Sequence, residues 1–399
     1  MVITFVSNYL NHHQLPFSKA MADMEDVEYY FIQTEEMEAE RKNMGWEFDP
    51  SSISFFREYA KAPEENAKLI MDSDVVIFGG TDDESYIMPR LEAGKLVIRY
   101  SERIYKDGQW KFISPRGLIK KYHDHIRFKQ NVYLLCSGAY VASDFSLIHA
   151  YKNKMLTWGY FPEFIEYDEA EILKHKHDNK DINILWCGRQ IELKHPENVI
   201  LLAEALKKKG YRTHITMIGD GDLGGMLKEM AAEKGVMESI SFKPFMKPEQ
   251  VRKEMLSADI FLFTSDYREG WGAVLNESMN AGCAVVASSM IGAVPYLIQH
   301  GFNGMTYRGN DVEEMIHSVM MLMYDKNKRI NMGIEAYKTI RDKWNASEAA
   351  NRLMKFIRGL QKGEIDVCDD GGPVCAAPNL PPKLGYEYTH ISEFLEDER

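Results

Sequence analysis

Apolar runs of strand length alternate with helix-like stretches along most of the chain. Residues 3–7, 27–33, 75–79, 96–100 and 132–136 are such runs, each followed by a longer segment of mixed polarity. Their spacing predicts βα units and a mostly parallel, doubly wound sheet. An aromatic run over 154–162 predicts the last strand of this first half. The charged, poorly apolar residues that follow predict a linker, placed at 166–180. The pattern restarts at 182–187 and recurs at 213–218, 241–245, 258–265 and 284–288. Amphipathic spacing predicts helices over 312–324, 335–344 and 346–360.

Length and composition turn this pattern into two domains, since 399 residues that are 45% hydrophobic can fill two cores. The boundaries drawn are 1–165, 181–345, a closing helix at 346–363 and a tail at 364–399. The net charge of −12 argues against a general nucleic-acid binder. Much of it is local, because the tail holds nine Asp/Glu against two Lys/Arg. That tail is expected to be acidic and partly disordered, with a short docking segment at 386–395. The five cysteines form no metal-ligand spacing; Cys368 and Cys375 are expected as free thiols in a reducing cytoplasm. The opening Met-Val-Ile-Thr-Phe-Val-Ser reads as a strand and not a signal peptide. No apolar run approaches the ~20 residues of a membrane span.

Candidate chemistry concentrates in the second half. Glu269 and Glu277 stand seven residues apart across the glycine-rich turn Gly270-Trp271-Gly272, with a helix expected from Ala273. Glycines admit close backbone approach, helix N–H groups favour a diphosphate, and carboxylates accept from hydroxyls. That combination fits a sugar nucleotide, with a hexose at one end and a ribose at the other. Upstream, Gly188-Arg189 and Lys194 follow a buried strand, and Gly219 and Gly221 form a strand-to-helix turn. Asp220 and Asp222 spell an acidic pair, but no third ligand accompanies them, so no metal site and no cofactor are expected.

In the first half, Asn11, His12 and His13 lie in a loop before a helix. They read either as contacts to a diphosphate or acceptor or as a polar capping loop. Glu102 follows the strand at 96–100, and its bland alternative is an ion pair with Arg103. Residues 99–129 carry nine Lys/Arg interleaved with Trp110, Phe112, Ile113 and Ile119. This suits an anionic membrane surface, or else a solvated basic face.

The run from Glu269 to Glu277, with 284–288, Ile291-Gly292-Ala293-Val294-Pro295 and Gly301-Phe302-Asn303-Gly304, resembles the donor-binding segment of the retaining family-4 glycosyltransferases. The resemblance covers most of 1–361 and is strongest in 181–345. It implies the GT-B architecture, two Rossmann-like domains facing across a cleft. It also implies metal-independent hexosyl transfer from a nucleotide diphosphate sugar, most often a UDP-sugar, to a glycan or lipid-linked acceptor in surface polysaccharide or glycolipid assembly. Arg189 and Lys194 would then meet the diphosphate, Phe245 would lie by the base, Glu277 would hold the ribose and Glu269 the hexose. Glu102 falls where many members place a histidine. A sugar-nucleotide epimerase of the same fold and a catalytically silent nucleotide-binding subunit are the alternatives. Contact with a membrane through 99–129 would be peripheral, at the cytoplasmic face.

Overall fold

A computed structural model describes residues 1–38, 49, 52–177, 181–365 and 367–382. These fall into two units, one of Met1–Glu163 with Asn345–Asn379 and one built on Phe164–Trp344. The first unit contains β1 (Val2–Ser7), β2 (Glu28–Gln33), β3 (Phe56–Glu58), β4 (Val75–Phe78), β5 (Val97–Ser101), β6 (Val132–Ser137) and β7 (Met155–Trp158). They form one sheet in the order β3-β2-β1-β4-β5-β6-β7. Every pairing is parallel, and Phe5 of β1 lies between Phe31 and Ile77. All six residues of β6 are buried, as a sheet covered on both faces requires.

The second unit repeats this plan with β8 (Ile182–Cys187), β9 (Thr213–Ile218), β10 (Ile240–Lys243), β11 (Ile260–Phe263), β12 (Ala284–Ser288) and β13 (Met305–Tyr307). Their order is β10-β9-β8-β11-β12-β13, again all parallel. The chain is thus α/β with two doubly wound, Rossmann-like units. In each sheet the strand order reverses once, between β1 and β4 and between β8 and β11, and ligands of such sheets gather beyond the strand ends at those points.

One boundary differs from the sequence expectation. The stretch expected as linker contains the helix Glu169–His177, which belongs to the second unit. Ile172 packs with Tyr337, and Tyr167 exchanges backbone hydrogen bonds with the Tyr337 hydroxyl at 3.0 and 2.8 Å. The closing helix Ala346–Lys362 lies in the first unit, against the helix Leu15–Ala22. Its stop is a left-handed Gly363.

Within the tail, residues 367–379 are held by the first unit. Val374 N–H donates to Thr157 C=O, Thr157 N–H to Cys375 C=O, and Ala377 N–H to Met155 C=O, so this stretch lies along the exposed side of β7. Arg352 clamps Asp370 through two bonds of 2.6 and 2.7 Å. Backbone pairing to a sheet edge needs no apolar periodicity, which is why the sequence pattern hid it. All five cysteines are free thiols, and Cys368 pairs with Cys375 across a backbone bridge. Residues 386–395 lie outside the described residues.

Candidate active site

At the reversal point of the second sheet, β8 and β11 run side by side and deliver two loops. Trp186 of β8 is buried and donates its indole N–H to Thr264, just past β11, at 2.9 Å. Thr264 Oγ1 donates to the Lys194 carbonyl at 2.6 Å, and the Asp266 N–H to that of Leu193 at 2.9 Å. The loop after β8 is thereby bound to the loop after β11.

Arg189 is exposed on a loop held from below. Buried Gln190 donates its backbone N–H to Asp220 C=O and its side-chain amide to Gly219 C=O at 2.7 Å. Gly219 has φ of 128°, and a Cβ there would sit 2.0 Å from the Gly188 oxygen. Gly219 and Gly221 therefore serve the packing of the two loops, which fixes Arg189 indirectly. Asp220 accepts from Phe245 N–H at 2.8 Å, a structural use of the carboxylate in the acidic pair. Among the described residues no three His, Cys, Asp or Glu side chains gather as a metal site. Phe245 itself is exposed.

Lys194 and Glu269 form an ion pair, each side chain about one-sixth exposed. Gly292 N–H holds the Glu269 carbonyl at 3.2 Å, and Gly272 (φ 88°) turns the chain into the seven-residue helix Val274–Asn280. Ala273 precedes that helix and supplies no side-chain cap, leaving its first N–H groups to other partners. Glu277 is partly buried. Desolvation pushes its carboxyl up to about 7, against the pull of Arg252. Cys187 is raised to about 12 by burial and by the Glu277 charge, and Lys194 opposes this, so the three groups share one neighbourhood. Trp271 turns its side chain into the interior. Its indole is buried against Tyr296 and Trp344 and donates to Asn276 at 2.9 Å. What the tryptophan contributes is a rigid floor under Gly270 and Gly272.

Sequence reasoning missed the residues that join the two loops. His195, directly after Lys194, stands between Glu197 and Asp266 at 2.8 and 3.2 Å. Arg268 covers Asp266 and reaches Glu192. The available signal was a histidine flanked by carboxylates within three residues of each predicted ligand.

In the first unit, Asn11 closes its own turn, accepting from the N–H of His13 and Gln14 at 2.9 and 3.1 Å. This is the capping alternative. His12 and His13 lie ring to ring, and His13 stacks on Tyr160 at 6.0 Å. Glu102, just past β5, accepts from the Tyr160 hydroxyl and from Lys106. It does not pair with Arg103, whose guanidinium turns inward to Asp144. Burial and the Glu102 charge raise the Tyr160 hydroxyl far above its ordinary range.

The segment 99–129 also divides differently from the expectation. Arg99 and Arg103 are buried in ion pairs with Glu84 and Asp144. Lys111, Lys120 and Arg127 pair with Asp107, Asp124 and Glu92. Phe112 packs on the core. Large apolar side chains share the exposed surface with Arg116, Lys120 and Lys129: Trp110 is 68%, Ile113 65%, Ile119 61% and Tyr122 51% exposed. No helix among the described residues is long and apolar enough to cross a membrane.

Comparison with known proteins agrees with this anatomy. Residues 168–339 match the family described as Glycosyl transferases group 1. The GDP-mannose-dependent alpha-(1-6)-phosphatidylinositol monomannoside mannosyltransferase of Mycobacterium tuberculosis is 22% identical over 196 residues, 48% of this chain and 51% of that one. The D-inositol 3-phosphate glycosyltransferase of Nocardia farcinica is 26% identical over 160 residues, 38% and 35% of the two chains. The chain thus spans about half the length of these curated relatives, or less. Among solved structures, HepE of Anabaena in complex with UDP aligns at a TM-score of 0.67 with 13% identity, over 90% of this chain and 100% of that one. The fold is GT-B, and the similarity to the group 1 glycosyltransferases lies in its second unit.

Proposed function

We propose that the protein is a retaining, metal-independent hexosyltransferase that uses a nucleoside diphosphate sugar. The observation that carries the reading is the Lys194–Glu269 pair at the strand-order reversal, with Glu277 in the same neighbourhood and Arg189 on the same loop as Lys194. Each partner of that pair matches one end of the reacting bond. When a donor enters, Lys194 exchanges a carboxylate for the diphosphate, and the released Glu269 accepts from hexose hydroxyls. Arg189 adds a second cation, and together they stabilise the charge that develops as the C1–O bond to phosphate breaks. The acceptor oxygen bonds C1 on the same face, and its proton passes to the departing phosphate oxygen. Glu277 accepts from the ribose. An epimerase needs acid and base groups at the sugar's C2; release of free nucleotide with a glycosylated acceptor distinguishes transfer from it.

The base is proposed to be uracil, in keeping with the UDP bound to HepE. A guanine nucleotide is the second reading, because the Mycobacterium tuberculosis relative is named as GDP-mannose-dependent. The acceptor is proposed to be lipid-linked, for surface polysaccharide or glycolipid assembly. The exposed apolar side chains of Trp110, Ile113, Ile119 and Tyr122 would rest on the cytoplasmic leaflet. Thermal melts with UDP, GDP and their sugars test the donor, since a ligand at 100 times its Kd stabilises by about 2.7 kcal/mol. A shift with one nucleotide that survives EDTA supports the reading. No shift with any nucleotide overturns it.

A further inference from the structure

His195 ends the single 3-10 turn Glu192–Lys194 at φ 46° and ψ 52°, the left-handed region. Glycine adopts that region freely and a histidine does not, so the side chain must be held by something. Both ring nitrogens face carboxylates, Nδ1 toward Glu197 and Nε2 toward Asp266, at 2.8 and 3.2 Å. An ionised carboxylate only accepts, so both nitrogens donate and the ring is an imidazolium.

Its surroundings are charged on every side. Glu197 opens the helix Glu197–Lys208 and bears electrostatically on the Tyr307 hydroxyl of β13. Asp266 belongs to the loop after β11 and also accepts from Arg268 at 2.7 and 3.0 Å. Arg268 reaches back to Glu192 at 3.5 Å. Lys194 precedes the histidine in sequence, and its partner Glu269 donates its backbone N–H to Asp266 C=O.

We infer that His195 is a positioning residue of the donor site, whose imidazolium reinforces the ties between the loop carrying Lys194 and the loop carrying Glu269 and loosens them when it loses its proton. The inference rests on the donor-site reading above for its consequence, though not for its geometry. Hydrogen bonds to Asp266 and Glu197 raise the ring to about 9 against burial. Burial works to raise Asp266, but the bonds from His195 and Arg268 outweigh it and hold the carboxyl at about 2. The stitch is therefore complete at neutral pH and loses one of its two bonds and its charge as pH rises through about 9.

His195→Gly keeps the backbone conformation and deletes the ring; His195→Asn is the second variant, tolerant of the same conformation. Hydrogen exchange of the unliganded proteins gives a readout that needs no ligand. Amides of Lys194, His195, Asp266 and Glu269 should exchange at least about tenfold faster in both variants, while those of β9 and β12 stay unchanged. Calorimetric titration with UDP, or with GDP if UDP does not bind, gives the second readout. Between pH 7 and 9.5 the wild-type Kd should rise at least about fivefold more than that of either variant, so that titration of the nucleotide itself cancels. Unchanged loop exchange in the variants, or equal pH slopes, overturns the role of His195. Faster loop exchange in a protein that binds neither nucleotide leaves the stitch standing and removes the donor reading.

Discussion

Replacing Glu277 by glutamine should make the unliganded protein more stable and its nucleotide binding weaker. The carboxyl is partly buried and titrates at about 7 in place of its ordinary 4.5. Across that window the folded state holds the proton more tightly than the unfolded chain, so stability falls as pH rises from about 4.5 to 7 and then levels. At ~1.4 kcal/mol per unit the cost above pH 7 is at most about 3 kcal/mol, and partial exposure reduces it. Glutamine has the same shape and no charge to desolvate. At roughly 2–4 °C per kcal/mol for a domain of this size, Glu277→Gln should melt several degrees above wild type at pH 8. At pH 4.5, where the wild-type carboxyl is largely neutral, the two melts should converge. The same variant should bind nucleoside diphosphate more weakly by about 1–3 kcal/mol, the range for a hydrogen bond to a charged group. Thermal melts over pH 4.5–8.5, each with and without nucleotide, read both effects. A variant that melts with or below wild type at pH 8, or by the same margin at both pH values, refutes the reasoning.

Gly219→Ala puts a methyl 2.0 Å from the Gly188 oxygen at a left-handed φ, and should lower stability by roughly 2–4 kcal/mol. An unchanged urea midpoint would show that the two loops give way without cost. On the outward face of 109–122, Trp110→Ser with Ile119→Ser should abolish co-sedimentation with anionic vesicles. Each exposed side chain is worth about 1–2 kcal/mol on burial. Because Lys111, Lys120 and Arg127 are already paired, salt should weaken wild-type attachment only modestly. A wild type that ignores vesicles at low salt removes the lipid surface as a partner.

Much of the fold was legible because its strands are buried on both faces. Residues 182–187 and 284–288 read as continuous apolar runs and are β8 and β12. The three-residue strands β3 and β13 are too short for any period to register. The helix Glu169–His177 was hidden because charged residues dominate it: Ile172 and Leu173 pack inward, and the buried Lys176 donates to the Met255 and Ala258 carbonyls, contacts that an apolar period does not register. Within the candidate site, Glu269 and Glu277 were read from spacing and Arg189 and Lys194 from the family resemblance, and Lys194 and Glu269 meet in space. Which charge pairs with which was not legible: Glu102 pairs with Lys106 and not its neighbour Arg103, and the basic character of 99–129 is largely consumed internally. Pairing depends on where strands and helices bring side chains together, and sequence adjacency says little about that.

The closing helix Ala346–Lys362 and the strip along β7 complete the first unit, although about 180 residues of the second unit separate them from it in the chain. At synthesis rates of about 5–20 residues per second, that interval lasts roughly 10–40 s. Throughout it the helix Leu15–Ala22 lacks its cover and β7 presents an unpaired edge, the kind of surface that recruits strands from other chains. The second unit has Phe164–Trp344 available as one uninterrupted stretch and is free to fold first. The order of folding thus runs against the order of synthesis, and the segment Asn345–Asn379 decides whether the first unit closes on itself or on a neighbour.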